Sequence, residues 1–409
     1  MSHPHHDADW LTRYERSLMG VFGTPQQLLQ TGAGAWVTDA EGRQLLDMLG
    51  GIAVNALGHG HRRIVEAITE QAAALGHISN LFTSEPQIRL AEQLLQLCRA
   101  PEGSTVFFAN SGSEANEAAL KAVLKHRSAT GRQRILALEN SFHGRTLGAL
   151  SLTHKPAYRE PFGPLVPGIE FLPPNDLDAL EEVFAADDVA GIFLEPIQGE
   201  AGVLPLTDQY LLRARELTRR HQALMVLDEV QTGVGRTGDW FRHQALGQGF
   251  LPDLMTLAKG LGSGFPIGAL VAFGPDAGCM LQAGQHGTTF GGNPLAAVAA
   301  ETTLAVIEEE DLLTNAARRG RQITAGLQRQ PQLGEIRCFG LHIGIDLAEE
   351  VAGPEPAKEL VTIARQRHGL IINATGPRTL RLAPPLNITA DEVDAFLDRF
   401  TSTLAELTR

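Results

Sequence analysis

Only five lysines occur among the 409 residues: Lys121, Lys125, Lys155, Lys259 and Lys358. Four of them stand in polar or helical-surface surroundings. Lys259 alone follows an apolar run and precedes a glycine-rich turn, in Leu257-Ala258-Lys259-Gly260-Leu261-Gly262. An amine partly withdrawn from water at such a place has a lowered pKa and is a competent Schiff-base nucleophile. A strand-end lysine that merely reaches water has the same local sequence, so Lys259 needs company before the reading gains force.

Asp228-Glu229-Val230-Gln231 follows the apolar run Leu224–Leu227. A carboxylate at a strand's carboxyl end can hold a pyridine nitrogen protonated and make a cofactor ring an electron sink. Acidic pairs also end strands in metal and phosphate sites; this one gains meaning by standing one strand–helix unit before Lys259. Asn110-Ser111-Gly112-Ser113-Glu114 joins a second apolar run to a helical pattern. Ser111 and Glu114 match a capping box, and the glycine lets backbone amides approach an anion at the helix start. A plain cap would look alike.

In Phe142-His143-Gly144-Arg145-Thr146 an aromatic ring could stack on a planar cofactor, and Arg145 could grip a carboxylate with two parallel hydrogen bonds. A packed Phe and a surface Arg are the plain alternative. His59 and His61 lie in a Gly-His-Gly-His turn with no carboxylate or cysteine to complete a metal set, which favours structural histidines. His3, His5 and His6 read as a polar tail.

These segments are held by a regular alternation. The apolar runs Ser104–Ala109, Arg134–Leu138, Gly191–Glu195, Leu224–Asp228, Leu254–Ala258 and Ile267–Phe273 lack polar alternation, as strands buried on both faces do. Helical patterns such as Glu114–Arg127 and Asp208–His221 lie between them. Such alternation predicts an α/β fold with a mostly parallel sheet and ligands beyond the carboxyl ends of its strands. All the candidate residues follow such ends. From about residue 311 to 409 the pattern changes: strands at Gly340–Leu347 and Thr379–Ala383 and a helix at Ala390–Leu407 predict a smaller α+β domain. The segment 1–60 is expected to join that smaller domain, leaving 61–310 as the large one.

A formal charge of −13 leaves no basic excess for a nucleic-acid partner or an anionic membrane. No apolar run approaches the ~20 residues needed to span a bilayer. Cys98, Cys279 and Cys338 are far apart, which suits a reducing cytoplasm rather than a disulfide framework.

Taken in order, the segments NSGSEANEAALK from Asn110, FHGRTLGALS from Phe142, EPIQGEAGV from Glu195, LDEVQTGVGRTG from Leu227, LAKGLGSGFPIGA from Leu257 and HGTTFGGNP from His286 are similar to the class III aminotransferases. Within them the chain resembles the acetylornithine group nearly end to end. The resemblance implies a fold type I pyridoxal-phosphate-dependent transferase, with a seven-stranded sheet in the large domain and pyridoxal 5'-phosphate as cofactor. It implies that Lys259 is the covalent and proton-carrying lysine, Asp228 the partner of the pyridinium nitrogen and Gln231 a contact to the ring hydroxyl. Gly112 and Ser113 match the phosphate turn, Phe142 the ring-stacking aromatic, and Glu229 and Val230 fall in the same cofactor segment. Thr289 matches a threonine reaching the phosphate of the neighbouring subunit, which implies a homodimer with shared sites. Thr288 and Arg145 match substrate contacts. Glu200 and Arg381 match an ion pair that separates when a dicarboxylate needs the arginine.

The reaction so implied moves an ω-amino group to 2-oxoglutarate. Gly50 to His59, and Ile78-Ser79-Asn80-Leu81-Phe82, look like the acetylornithine group, pointing to N2-acetyl-L-ornithine as donor in arginine biosynthesis. Arg62 and Thr83 depart from the usual residues there. Ornithine or succinylornithine aminotransferase, or an aminomutase or racemase on this scaffold, are the alternatives.

Overall fold

The computed structural model describes residues 10–247 and 249–407, so His3, His5 and His6 lie outside the described residues. A seven-stranded sheet organises the centre. Its order is Thr105–Ala109, Gly268–Ala272, Leu254–Leu257, Leu224–Asp228, Val189–Leu194, Arg134–Leu138 and Ile169–Leu172. Six strands share one direction, and Gly268–Ala272 alone runs against its two neighbours.

The apolar runs form strands here because both faces of the sheet are covered. Leu136, Leu138, Ile192, Leu194, Met225 and Leu227 point to one face and pack with Leu180, Phe184, Tyr210 and Leu217 from two helices. The alternate positions Ile135, Ala137, Phe193, Leu224 and Val226 meet Ala118, Ala119 and Val123 of the helix Gly112–Thr130 on the other. Each fully buried side chain of this size contributes about 1.5–3 kcal/mol, so both faces are bound tightly. Ile169–Leu172 was absent from the sequence reading. It is an edge strand with Glu170 exposed and Leu172 alone buried, so it offers no continuous apolar run.

Beyond this sheet, Leu333–Phe339, His342–Leu347, Thr379–Leu382 and Asn373–Ala374 form an antiparallel sheet in that order. Leu312–Leu327 and Pro356–His368 pack on it, and Ala390–Leu407 packs against both helices. Leu29–Ala33, Trp36–Asp39 and Gln44–Asp47 form a third sheet whose last strand pairs in parallel with Leu370–Ile371. No helix among the described residues is long and apolar enough to cross a membrane.

Candidate active site

The six parallel strands end on one side of the sheet, and a cavity of ≈ 310 Å³ opens beyond five of them. Gly112, Ser113, Phe142, Asp228, Val230, Gln231 and Lys259 line it together with Asn116, His143 and Glu195. The sequence expectation that the candidates converge beyond the strand ends is therefore met for these seven.

The helix Gly112–Thr130 aims its start at the cavity. Ser111 caps it, its hydroxyl accepting from the Glu114 amide at 3.2 Å. The reciprocal half of the expected capping box is displaced by one residue. The Glu114 carboxylate accepts from the Asn110 amide at 2.6 Å and from the Asn110 side chain at 2.8 Å. The first amides of a helix have no partner inside it, so those of Gly112 and Ser113 are available to an anion. Gly112 also has to lack a Cβ, which would fall 2.8 Å from Val230 Cγ1.

Asp228 is buried at the carboxyl end of its strand. Its Oδ2 accepts from Asn116 Nδ2 at 2.8 Å and from His143 Nδ1 at 2.7 Å. Asn116 is itself held by Thr256 Oγ1 at 3.1 Å and by the His143 carbonyl. Oδ1 accepts only the Val230 amide, at 3.0 Å, and keeps capacity for one further donor from the cavity. Burial works against the His143 imidazolium, but Asp228, and then Glu195, outweigh it and raise its pKa. Glu195 accepts from the Phe142 amide at 2.8 Å. Burial pushes its carboxyl up to about 7, with His143 opposing and Asp228 assisting.

Lys259 closes the far wall, in a left-handed backbone conformation (φ 45°) at the start of the turn Lys259–Gly262. Burial lowers its ammonium pKa, Glu200 opposes that, Arg381 adds to it, and Asp228 and Glu195 oppose it further. A neutral amine is therefore more accessible at Lys259 than in a freely solvated lysine.

Glu200 and Arg381 stand beside the cavity rather than in its lining. Arg381 is fully buried and donates from Nη1 to Glu200 Oε1 at 2.6 Å and to Gln231 Oε1 at 3.0 Å. Its Nη2 donates to Asn373 Oδ1 at 2.9 Å. Burial would raise the Glu200 pKa, but Arg381, Lys259 and Gln231 bring it below the ordinary value. Arg145 is exposed, with its guanidinium 3.5 Å from the Tyr158 ring centre and 5.6 Å from that of Phe142. Thr288 Oγ1 accepts from Asn110 Nδ2 at 3.0 Å, whereas Thr289 is exposed and does not line the cavity of its own chain.

Glu229 corrects the sequence reading. Its side chain turns away from the cavity and accepts from His243 Nδ1 at 2.8 Å, from the amides of Arg242 and His243, and from Thr232 Oγ1. A fully buried carboxylate needs such donors in place of water, and this set leaves Glu229 nothing to offer the cavity. His59 is structural, with Nε2 3.0 Å from Asp47 Oδ2. No group of three or more His, Cys, Asp or Glu among the described residues could hold a metal. Asn116, His143, Glu195 and Tyr158 went unassigned in the sequence. Asn116, His143 and Glu195 lie inside the motif segments, but their roles depend on partners tens of residues away.

The site fits a phosphorylated pyridine aldehyde: free helix-start amides for a dianion, a buried carboxylate with one open lone pair for a ring N–H, and an amine within the same walls. The profile described as "Aminotransferase class-III" matches residues 23–404. The chain is 47% identical to the acetylornithine aminotransferase of Bifidobacterium longum, over 96% of this chain and 94% of that one. It is also 47% identical to that of Corynebacterium efficiens, over 98% of both. A solved ornithine aminotransferase from Toxoplasma gondii, with partial occupancy of PLP at its active site, superposes with a TM-score of 0.90 at 31% identity, covering 98% of this chain and 95% of that one. The N-acetylornithine aminotransferase of Stenotrophomonas maltophilia superposes at 0.82 with 37% identity, covering 97% and 98%.

Proposed function

The chain belongs to the class-III aminotransferases, and from that premise we propose that it transfers the ω-amino group of N2-acetyl-L-ornithine to 2-oxoglutarate, giving N-acetyl-L-glutamate 5-semialdehyde and L-glutamate. Its cofactor is pyridoxal 5'-phosphate. The observation that carries the donor assignment is the 47% identity to acetylornithine aminotransferases over nearly the whole chain.

Pyridoxal phosphate, when bound, would supply an electron sink for the electrons of the C–H bond on the carbon that carries the transferred amine. Lys259 would provide the amine that holds the cofactor, and its Nζ would carry the proton. Asp228, steadied by Asn116 and His143, would offer its open lone pair to the ring nitrogen. Gly112 and Ser113 would hold the phosphate, and Phe142 and Val230 would confine the ring. Gln231 lines the same wall.

Arg145 anchors the donor's α-carboxylate. The acylated α-nitrogen is neutral and asks for no acid. Asp47, the acid of the segment before the cavity, is committed to the amides of Leu49 and Gly50 and to His59. The α-ammonium of free ornithine would stand without a matched partner, which is costly away from water. Glu200 neutralises Arg381 while the donor reacts, and releases it to the second carboxylate of 2-oxoglutarate afterwards.

Assembly as a homodimer with shared sites belongs to the same reading. Thr289 is exposed, and near it Leu81, Phe82 and Phe290 present bare apolar side chains to solvent. Asn80 ties this region together by donating to the Thr288 carbonyl at 2.8 Å. Three free cysteines support a cytoplasmic setting. The division into 1–60, 61–310 and 311–409 is supported by the central sheet, whose strands run from Thr105 to Ala272.

A donor panel tests the assignment. Acetylornithine, succinylornithine and free ornithine are compared by kcat/KM with saturating 2-oxoglutarate, and acetylornithine is expected to lead. Free ornithine used equally well or better would replace the proposal with ornithine aminotransferase.

A further inference from the structure

His342 is a fully buried histidine on the strand His342–Leu347, one strand away from Arg381. Its Nε2 lies 3.0 Å from the side-chain oxygen of Gln231. Arg381 fixes what that contact must be. A guanidinium has only donors, so the Gln231 atom 3.0 Å from Arg381 Nη1 is the amide oxygen and not the nitrogen. The same oxygen faces His342, so Nε2 carries the proton and donates. Nδ1 is then bare, and it is buried with no hydrogen-bond partner. With its oxygen set by two donors, Gln231 is held against Arg381, whose Nη1 also meets Glu200.

We propose that His342 is a positioning residue for the acceptor half-reaction: by donating to Gln231 it fixes the amide oxygen that Arg381 holds beside Glu200, and so presets Arg381 for the second carboxylate of a dicarboxylate. The charge balance around it agrees. Burial, reinforced by Arg381, Arg236 and Lys259, drives the His342 pKa well below the ordinary value, so the imidazole stays neutral and keeps one donor and one acceptor. When Glu200 leaves Arg381, Gln231 keeps both donors, His342 and Arg381, on its oxygen. The amide therefore does not have to turn, and Arg381 keeps its place against Gln231 and Asn373. The inference rests on the reading of Arg381 as the acceptor's anchor.

Three variants separate positioning from packing. His342→Gln places an amide N–H about where Nε2 stands and keeps the donor. His342→Asn is too short to reach Gln231, and His342→Leu fills the space without a donor. The cofactor-loaded enzymes are titrated by calorimetry with glutarate, which has two carboxylates and no keto group. The two half-reactions are followed separately by cofactor absorbance. His342→Asn and His342→Leu are expected to weaken glutarate binding and raise the 2-oxoglutarate KM about tenfold, the order one buried hydrogen bond supports. Their donor half-reaction should stay within about twofold, and His342→Gln should restore glutarate binding. If the leucine variant does not fold, the asparagine–glutamine contrast carries the test. Unchanged glutarate affinity in the asparagine variant, or an equal loss in both half-reactions that glutamine does not restore, would overturn the role of His342 alone. A native enzyme indifferent to glutarate and 2-oxoglutarate would overturn the role of Arg381 with it.

Discussion

His143 Nδ1 lies 2.7 Å from Asp228 Oδ2, with both side chains buried. With Asn116 on the same oxygen, this contact leaves Oδ1 as the free face of the carboxylate. Asp228→Asn removes the charge without much change of shape. The variant is expected to fold and to bind pyridoxal phosphate through its phosphate, yet lose at least ~10²-fold in the donor half-reaction, as when a preorganised electrostatic partner is lost. Single-turnover absorbance measures this, and a rate within tenfold of native would remove Asp228 from its assigned role.

Lys259 is the one lysine that lines the cavity. Borohydride reduction of the cofactor-loaded enzyme followed by peptide mapping should label Lys259, and Lys259→Ala should fold but not turn over. A label on Lys121, Lys125, Lys155 or Lys358 instead would sink the assignment.

Arg145 rests on Tyr158, 3.5 Å from its ring centre, while Lys155 Nζ lies 4.8 Å from the same ring. A cation–π contact at an exposed site is worth about 0.5–1 kcal/mol. Tyr158→Ala should therefore raise the donor KM about two- to fivefold, and Tyr158→Phe should leave it near native. The KM for 2-oxoglutarate serves as the internal control if Arg145 holds the donor alone. An alanine variant with native donor KM would show that the ring does not position the arginine.

Glu195 gives the cofactor-free protein a pH signature. A carboxyl raised from 4.5 to about 7 in the fold takes up protons that the unfolded chain does not. Its contribution is thus fully present below pH 4.5 and is lost as pH rises through about 7. The loss is at most about 3 kcal/mol, at 1.36 kcal/mol per unit. His143, also raised, acts in the same direction as pH rises above 6.5. The lowered pKa of Glu200 acts only below pH 4.5. His342 and His286, whose pKa values are lowered, act oppositely below pH 6.5, so the test is a difference: across pH 5, 6, 7 and 8 chemical denaturation should show the native protein losing stability relative to Glu195→Gln. An equally steep fall in the glutamine variant would assign the effect elsewhere.

The sheet was legible wherever burial on both faces made a strand continuously apolar, as in Leu224–Asp228, and illegible at the half-exposed edge Ile169–Leu172. The reversed direction of Gly268–Ala272 left no mark, because a buried strand reads the same both ways. Site residues carried by a local motif, such as Lys259 and Gly112, were visible. Asn116 and His342 were not, since each acts on a residue more than a hundred positions away. Glu229 misled because its neighbours in sequence line the cavity while its own side chain points to His243.

The parallel pairing of Gln44–Asp47 with Leu370–Ile371 bears on how the molecule is made. On the ribosome, the earlier strand emerges with one edge unsatisfied and stays so until synthesis has passed Ile371. Closing so distant a pairing is slow, and an open edge in the meantime invites association with other nascent chains. A chain released before residue 370 keeps that edge bare for good, so premature termination there is expected to yield insoluble protein even though every strand of the central sheet has been made.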